Sequence, residues 1–135
     1  MADKQAVTEL LNRAGVAYDT GDSDFLIDMF APDGPAFEMT ISGGEPIVFE
    51  GSEAIAGLFT GAMDEQTDQR RHVVTNLYFE NETETSVTAV SYLVLISVEN
   101  GNLAVLSTGV YTDDCVLVDG HWKVQKRFLA LDLPY

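Results

Sequence analysis

The chain has 135 residues, a length typical of one domain, so the sequence predicts a single domain over residues 1–135. Its 22 Asp and Glu residues against 7 Lys and Arg residues give a formal net charge of −15, which repels nucleic-acid backbones and anionic lipid. We therefore expect no nucleic-acid partner and no membrane partner, and the single cysteine, Cys115, together with the lack of a recognisable secretory leader, favours a cytoplasmic location.

The first half of the chain carries three predicted helices. Apolar residues recur at helical spacing from about residue 3 to residue 18, which predicts an amphipathic first helix. Asp22 or Ser23 can cap a short second helix. Gly51-Ser52-Glu53 opens a third helix, which carries Ile55 and Phe59 on one side.

Six segments with strand-like patterns follow or separate these helices. The predicted strands cover residues 36–41, 46–49, 70–80, 86–99, 103–118 and 121–131. Asn100-Gly101 and Asp119-Gly120 are strong hairpin signals between long strands. Long strands linked in this way form an antiparallel meander that must twist and curl. The order of elements predicts an α+β fold, in which about three helices pack on the concave side of a strongly curved, mostly antiparallel sheet around a pocket.

Several catalytic and metal-binding motifs are absent from the sequence. Ser42-Gly43-Gly44-Glu45 does not match a phosphate-binding glycine loop, and no nucleophile elbow is present. One cysteine and two histidines do not support a zinc site. We therefore expect no metal and no organic cofactor, and His72 becomes the principal candidate for chemistry.

Strand alternation alone gives His72 two interpretations. Strict alternation places Arg70, His72, Val74, Asn76 and Tyr78 on one face of the strand and predicts that this face is the wetter one. His72 then points to solvent or to a subunit contact. A water-containing cavity would produce the same mixture of polar and apolar residues.

Three aspartates also stand out. Asp19 follows the first helix, where a short acid is common in turns. Asp113 and Asp114 lie in a predicted strand, although aspartate is uncommon in strands. Because adjacent strand residues face opposite sides, at most one of the two points into a cavity, and the other is solvated or pairs with Lys123, Lys126 or Arg127 across the hairpin.

The order of short motifs resembles the SnoaL-like family of the nuclear transport factor 2-like superfamily. The resemblance covers nearly the whole chain. It rests on segments 17–26 (Ala-Tyr-Asp-Thr-Gly-Asp-Ser-Asp-Phe-Leu), 30–34 (Phe-Ala-Pro-Asp-Gly), 49–51 (Phe-Glu-Gly), 108–114 and 119–127, and on His72 three residues before Thr75-Asn76-Leu77. It implies a cone-shaped α+β barrel and association into a homodimer or homotrimer through the outer face of the sheet.

Within that family the chain is most similar to the branch of scytalone dehydratase, bile acid 7α-dehydratase and hexachlorocyclohexane dehydrochlorinase. The resemblance implies a catalytic pair of His72 and Asp19, and a cavity arginine at Arg127. The cavity lysine of the dehydrochlorinase has no basic counterpart near Ala14. The further aspartate of the bile acid enzyme has no counterpart in the run Tyr92-Leu93-Val94-Leu95.

The resemblance implies a cofactor-independent lyase that acts by β-elimination, and the apolar residues expected around the pocket predict a small apolar, cyclic substrate. His72 would remove a proton and Asp19 would orient the imidazole. The predicted substrate-binding residues are Tyr18, Asn76 and Arg127 for hydrogen bonds, and Phe25, Met29, Phe59 and Leu93 for the apolar lining. Two alternatives remain open. One is a polyketide-cyclase-like or ketosteroid-isomerase-like enzyme with the same pocket, and the other is a non-catalytic ligand-binding or assembly module.

Overall fold

Helix α1 (Lys4–Thr20) begins and ends at capping residues that the sequence supplies. The Asp3 carboxylate accepts a hydrogen bond from the Ala6 N–H at 3.0 Å, and Gly21 adopts the left-handed conformation that ends the helix. Asp22 caps helix α2 (Ser23–Asp28) in the same way as Asp3. The computed structural model describes residues 1–135, and both helices lie where the sequence predicts them.

The six strands form one curved sheet in the order β2-β1-β6-β5-β4-β3. The remaining elements are β1 (Ala36–Ile41), β2 (Ile47–Glu50), helix α3 (Ser52–Glu65), β3 (Gln69–Glu80), β4 (Ser86–Glu99), β5 (Asn102–Val118) and β6 (His121–Leu131). Strands β1 and β6 are parallel, and every other neighbouring pair is antiparallel. The predicted α+β fold with three helices and a mostly antiparallel sheet is therefore confirmed.

The two predicted hairpin turns have the backbone geometry that their residues favour. Asn100 and Gly101 have φ angles of 52° and 77°, and Asp119 and Gly120 have φ angles of 50° and 80°. Positive φ at both central residues matches the twist of the flanking strands. These turns fix the registers of β4 with β5 and of β5 with β6.

Strand β3 departs from the alternation that the sequence predicts. Asn76 has a φ of 56°, and the pairing with β4 shifts between Thr75 and Tyr78. This bulge inserts one residue and exchanges the two faces of the strand. Before the bulge the even-numbered side chains, His72 among them, point toward the core, and after it the odd-numbered Phe79 does. The prediction that the even face is the wetter one was therefore wrong for Arg70, His72 and Val74, and it holds only for Asn76 and Tyr78 at and after the bulge.

The hydrophobic core lies between the helices and the concave face of the sheet. Helix α1 buries one side, and β4 and β5 bury alternate residues. The best-buried members of this core include Val7, Leu11, Ala14, Leu26, Ile55, Ala89 and Val124. None of the helices has the length and apolarity needed to cross a membrane.

Candidate active site

Asp19 and His72 meet at the junction of α1 and β3. The Oδ1 atom of Asp19 lies 2.7 Å from Nδ1 of His72. The backbone N–H of His72 also donates to both carboxylate oxygens, at 3.0 and 3.1 Å. An ionised carboxylate only accepts hydrogen bonds, so Nδ1 carries the ring proton and Nε2 keeps its lone pair.

Both side chains of this pair are shielded from bulk solvent. The His72 side chain is 10% exposed and that of Asp19 is 9% exposed. Burial lowers the pKa of His72 below its ordinary value, and the neighbouring cations Arg127 and Arg70 act in the same direction. The hydrogen bond and charge of Asp19 oppose this shift without reversing it. The imidazole is therefore neutral at neutral pH and can accept a proton.

Gly15 allows α1 to lie directly against β3 at this point. A Cβ atom at Gly15 would lie 3.1 Å from the carbonyl oxygen of His72 and 3.5 Å from its Cβ atom. A glycine in a helix interior costs about 0.5–1 kcal/mol relative to alanine. Here the missing side chain permits the close approach that brings the Asp19 carboxylate to His72.

The Tyr18 ring stacks on the imidazole of His72. The two ring centroids lie 4.6 Å apart and the planes are inclined by 17°. Phe59 of α3 also packs against Tyr18, in an edge-to-face arrangement with centroids 5.4 Å apart. Tyr18 therefore restrains the face of the imidazole ring, whereas the Asp19 carboxylate restrains its Nδ1 edge.

A cavity of about 80 Å³ opens beside Tyr18 and His72. Eleven of its twelve lining residues are hydrophobic, and His72 is the exception. The lining consists of Tyr18, Phe37, Met39, Leu58, Phe59, Ala62, His72, Leu93, Leu95, Tyr111, Leu129 and Tyr135. An apolar cavity with one titratable nitrogen is suited to an uncharged organic molecule and to proton transfer at a single point.

The structure separates the predicted site residues into two groups. Tyr18, Phe59 and Leu93 line the cavity together with His72. Phe25 and Met29 do not line it. Phe25 faces a separate groove that Leu10 and Trp122 also line, and Met29, directly after α2, is buried in the core. Asn76 is exposed at the β3 bulge, and its left-handed backbone takes it away from the cavity.

Arg127 lies behind the cavity wall instead of in the cavity. Its side chain is 1% exposed, and its Nε and Nη2 atoms donate to the two carboxylate oxygens of Asp113 at 2.7 and 3.2 Å. The guanidinium carbon lies 3.8 Å from the centroid of the Tyr111 ring. Arg127 therefore supports the wall through Tyr111 and has its charge compensated within the protein.

Asp113 and Asp114 face opposite sides of β5, as strand geometry requires. Asp113 is buried against Arg127, whereas Asp114 is exposed and accepts a hydrogen bond from the Thr88 hydroxyl at 2.9 Å. Burial raises the pKa of the Asp113 carboxyl, and the Arg127 charge opposes that shift. The sequence left open which of the two aspartates points inward, and the structure assigns that position to Asp113.

Tyr111 is a site residue that sequence analysis missed. It lies on the inward face of β5, and burial raises the pKa of its hydroxyl to about 12. The hydroxyl is therefore protonated at neutral pH and can donate a hydrogen bond. Alternation along β5 predicts that Tyr111 shares a face with Asp113 and Cys115. It does not show which face points inward, and only the pairing of β5 with β4 and β6 identifies that face.

Comparisons with known proteins agree with this fold. A family model described as the SnoaL-like domain matches residues 1–128. No curated protein matches the chain significantly. A similar solved structure is a Nostoc punctiforme protein of unknown function with a cystatin-like fold, which is 24% identical, with 98% of this chain and 94% of that chain covered and a TM-score of 0.80.

Two further solved structures are similar over most of their length. A nuclear transport factor 2-like protein with a cystatin-like fold from Novosphingobium aromaticivorans is 24% identical, with 96% and 81% of the chains covered and a TM-score of 0.77. A Catenulispora acidiphila protein in complex with S-DNPA is 25% identical, with 96% and 92% covered and a TM-score of 0.80. The family model shows the family and the solved structures show the fold. Neither comparison identifies the dehydratase branch.

Proposed function

This chain belongs to the SnoaL-like domain family, and on that basis we propose that its cavity binds a small apolar organic compound from which His72 removes a proton. The observation that carries the proposal is the 2.7 Å contact between Asp19 Oδ1 and His72 Nδ1 beside an apolar cavity. That contact leaves the unprotonated Nε2 as the basic atom. The ligand named for the Catenulispora acidiphila structure supports a small-molecule site in a fold of this kind.

The proposed reaction is a β-elimination of the dehydratase type. Nε2 of His72 takes a proton from a carbon next to a carbonyl group, and the electron pair of the broken C–H bond moves toward the carbonyl oxygen. The β-carbon then loses its hydroxyl group, which leaves as water after it receives the proton from the imidazolium. A positioned general base of this kind contributes about 10²–10⁴-fold to a rate.

Two tyrosine hydroxyls are suited to the developing negative charge on the carbonyl oxygen. Burial raises the pKa of Tyr18 above its ordinary value and that of Tyr111 to about 12, so both remain donors at neutral pH. Asp19 holds the Nδ1 proton and stabilises the imidazolium that forms after proton transfer. Each of these groups either lines the cavity or contacts a residue that does.

A second candidate reaction is isomerisation or ring closure with the same base. The pairing of Arg127 with Asp113 favours it, because that pairing leaves no free cation in the cavity wall to stabilise a departing anion. In this case the imidazolium returns its proton to a different carbon, and the product has the mass of the substrate. Elimination of water produces a lighter product, so mass spectrometry separates the two reactions.

The experiment is a hydrogen-exchange and turnover screen with neutral cyclic β-hydroxy ketones in deuterium oxide. We expect wild-type protein to exchange the hydrogen next to the carbonyl group for deuterium, and His72→Gln to lose that activity while retaining the fold. The matched control is His121→Gln, because His121 is the other histidine and is exposed at the start of β6. Exchange that survives in His72→Gln would exclude His72 as the base.

A non-catalytic binding module is the remaining alternative from the sequence. It predicts that neutral cyclic ketones bind to the wild-type protein without exchange or turnover. It also predicts that His72→Gln and Asp19→Asn retain binding. The same set of variants therefore distinguishes a catalytic cavity from a binding cavity.

A further inference from the structure

The cavity is too small in this structure for the substrate class that its lining suits. Its volume is about 80 Å³, whereas a cavity of about 150 Å³ accommodates a single benzene molecule. A cyclic substrate can therefore be fully enclosed only if part of the wall moves. The question is which lining residue is free to do so.

Most lining residues belong to helices or to the hydrogen-bonded sheet. Leu93 and Leu95 lie in β4 between two paired strands, and Phe59 is buried in α3. Tyr135 differs from all of them, because it lies outside the helices and strands and is 60% exposed. Neither Pro134 nor Tyr135 makes a hydrogen bond to the rest of the chain.

Asp132 and Leu133, which precede Pro134, are held firmly. The Asp132 N–H donates to the Thr108 carbonyl at 2.9 Å, and the Thr108 hydroxyl donates to the Asp132 carboxylate at 2.6 Å. The Ser107 hydroxyl donates to the Leu133 carbonyl at 2.6 Å. The segment is therefore anchored at its base, and the freedom to move begins after Leu133.

Arg70 provides a fixed surface for the Tyr135 ring. Its guanidinium carbon lies 5.1 Å from the ring centroid. Its Nε atom is 3.2 Å from each carboxylate oxygen of Asp68, which in turn accepts a hydrogen bond from the Ser97 hydroxyl. An Arg–aromatic contact at an exposed site is weak, so it closes the cavity without locking it.

We propose that Tyr135 and Arg70 form a gate over the cavity and that movement of the Tyr135 ring away from Arg70 admits an uncharged cyclic compound. The apolar lining penalises a charged ligand, and the net charge of −15 repels anions before they reach the gate. The gate therefore selects for neutral molecules large enough to need the additional space. The proposal rests on the proposed function only in treating this cavity as the substrate site.

The experiment measures how fast diethyl pyrocarbonate, a small neutral reagent, modifies His72. Mass spectrometry of peptides follows His72 inside the cavity and exposed His121 as an internal reference in the same sample. We expect Tyr135→Ala to raise the rate at His72 by about threefold or more, as loss of a contact of this strength predicts, with no change at His121. Arg70→Gln should raise it as well, because it removes the other half of the gate.

Two control variants make the test specific. Tyr135→Phe keeps the ring over Arg70 and should react like wild type. Leu133→Ala alters an exposed side chain of the same segment that does not line the cavity and should also react like wild type. Equal His72 rates in Tyr135→Ala and wild type would overturn the proposal, as would an equal increase in Leu133→Ala or a lack of His72 modification in every variant.

The reagent reports access to His72 and does not depend on catalysis. If the gate variants behave as expected and no ketone is turned over, the gate stands and the proposed function fails. If ketones are turned over and Tyr135→Ala leaves access unchanged, the function stands and the gate fails. The two proposals are therefore tested independently.

Discussion

The Asp19 carboxylate binds His72 at two places, the backbone N–H and the ring Nδ1. One acid thus fixes both the path of β3 beside α1 and the tautomer of the imidazole that β3 carries. A change at Asp19 is therefore expected to affect the position and the protonation of His72 together.

The first prediction concerns the titration of His72. Its pKa lies below the ordinary value of 6.5 because burial disfavours the charged ring, and Asp19 partly offsets this effect. We expect a nuclear magnetic resonance titration of the ring to give a midpoint below 6.5 in wild-type protein and a still lower one in Asp19→Asn. A midpoint that rises in Asp19→Asn would contradict the assigned hydrogen bond.

The same shift has a consequence for stability. The unfolded chain takes up the His72 proton at the ordinary pKa, whereas the folded chain takes it up only at lower pH. The contribution of His72 to the free energy of unfolding is therefore fully present above pH 6.5. It decreases as the pH falls below that value and becomes constant below the folded pKa. Urea denaturation of wild type and His72→Gln across this range measures the difference.

The second prediction concerns the contact between α1 and β3 at Gly15. Gly15→Ala places a methyl group 3.1 Å from the His72 carbonyl oxygen, so we expect a loss of about 1–3 kcal/mol in unfolding free energy from overpacking. The matched control is Gly57→Ala in α3, where the new methyl group meets no atom within 4 Å. That change should stabilise the protein by about 0.4–1 kcal/mol. Equal effects of the two substitutions in chemical denaturation would refute the role given to Gly15.

The third prediction concerns the buried pair of Asp113 and Arg127. Asp113→Ala leaves the guanidinium buried without its partner, and we expect a loss of about 3–5 kcal/mol in unfolding free energy. The double substitution Asp113→Leu with Arg127→Met should recover most of that loss, because no charge then remains uncompensated. The exposed pair of Glu9 and Arg13 is the control, and Glu9→Ala should change stability by less than about 0.5 kcal/mol. A double variant as unstable as Asp113→Ala would exclude this explanation.

The fourth prediction concerns self-association through the outer face of the sheet. That face carries the apolar residues Val73, Tyr92, Val94, Val98, Leu103 and Val105, several of them largely exposed. We propose that a second copy of the chain covers it. Because each copy carries a net charge of −15, the assembly should weaken at very low salt. Sedimentation velocity at several salt concentrations checks this.

Two valine variants test whether the outer face is the surface involved. Val105 on β5 and Val16 on α1 are each 60% exposed. We expect Val105→Glu to shift the protein to monomer and Val16→Glu to leave the oligomer intact. Dissociation by both variants, or a wild-type protein that is monomeric at every salt concentration, would contradict the proposal.

The elements of this fold could be predicted because their signals are local. Asn100-Gly101 and Asp119-Gly120 define turns on their own, and the helical spacing of α1 extends over several turns. The bulge at Asn76 could not be predicted, because a single asparagine also fits an uninterrupted strand. Since the bulge exchanges the two faces of β3, the alternation that fits Tyr78 and Phe79 after it gives the wrong face for His72 and Val73 before it.

The candidate site was predicted less completely for a different reason. The resemblance to a known family implied that Asp19 and His72 lie close together. The spacing of the two residues along the chain does not predict their contact. Tyr111 and Tyr135 enter the cavity only through strand pairing and through the path of the segment after β6. The resemblance implied Arg127 as a cavity arginine, but its partner Asp113 lies opposite it on the neighbouring strand, and that pairing keeps its charge out of the cavity.

The parallel pairing of β1 with β6 determines when this protein can fold. Ala36 lies opposite Lys126 and Ile41 opposite Leu131, so the strand that holds β1 in the sheet is separated from it by most of the chain. Contacts of such high sequence separation form slowly. During synthesis on a ribosome, β1 and its partner β2 must wait for β6 to emerge before they can join the sheet. The exposed edges of the unfinished sheet are then the surfaces that a chaperone would have to protect.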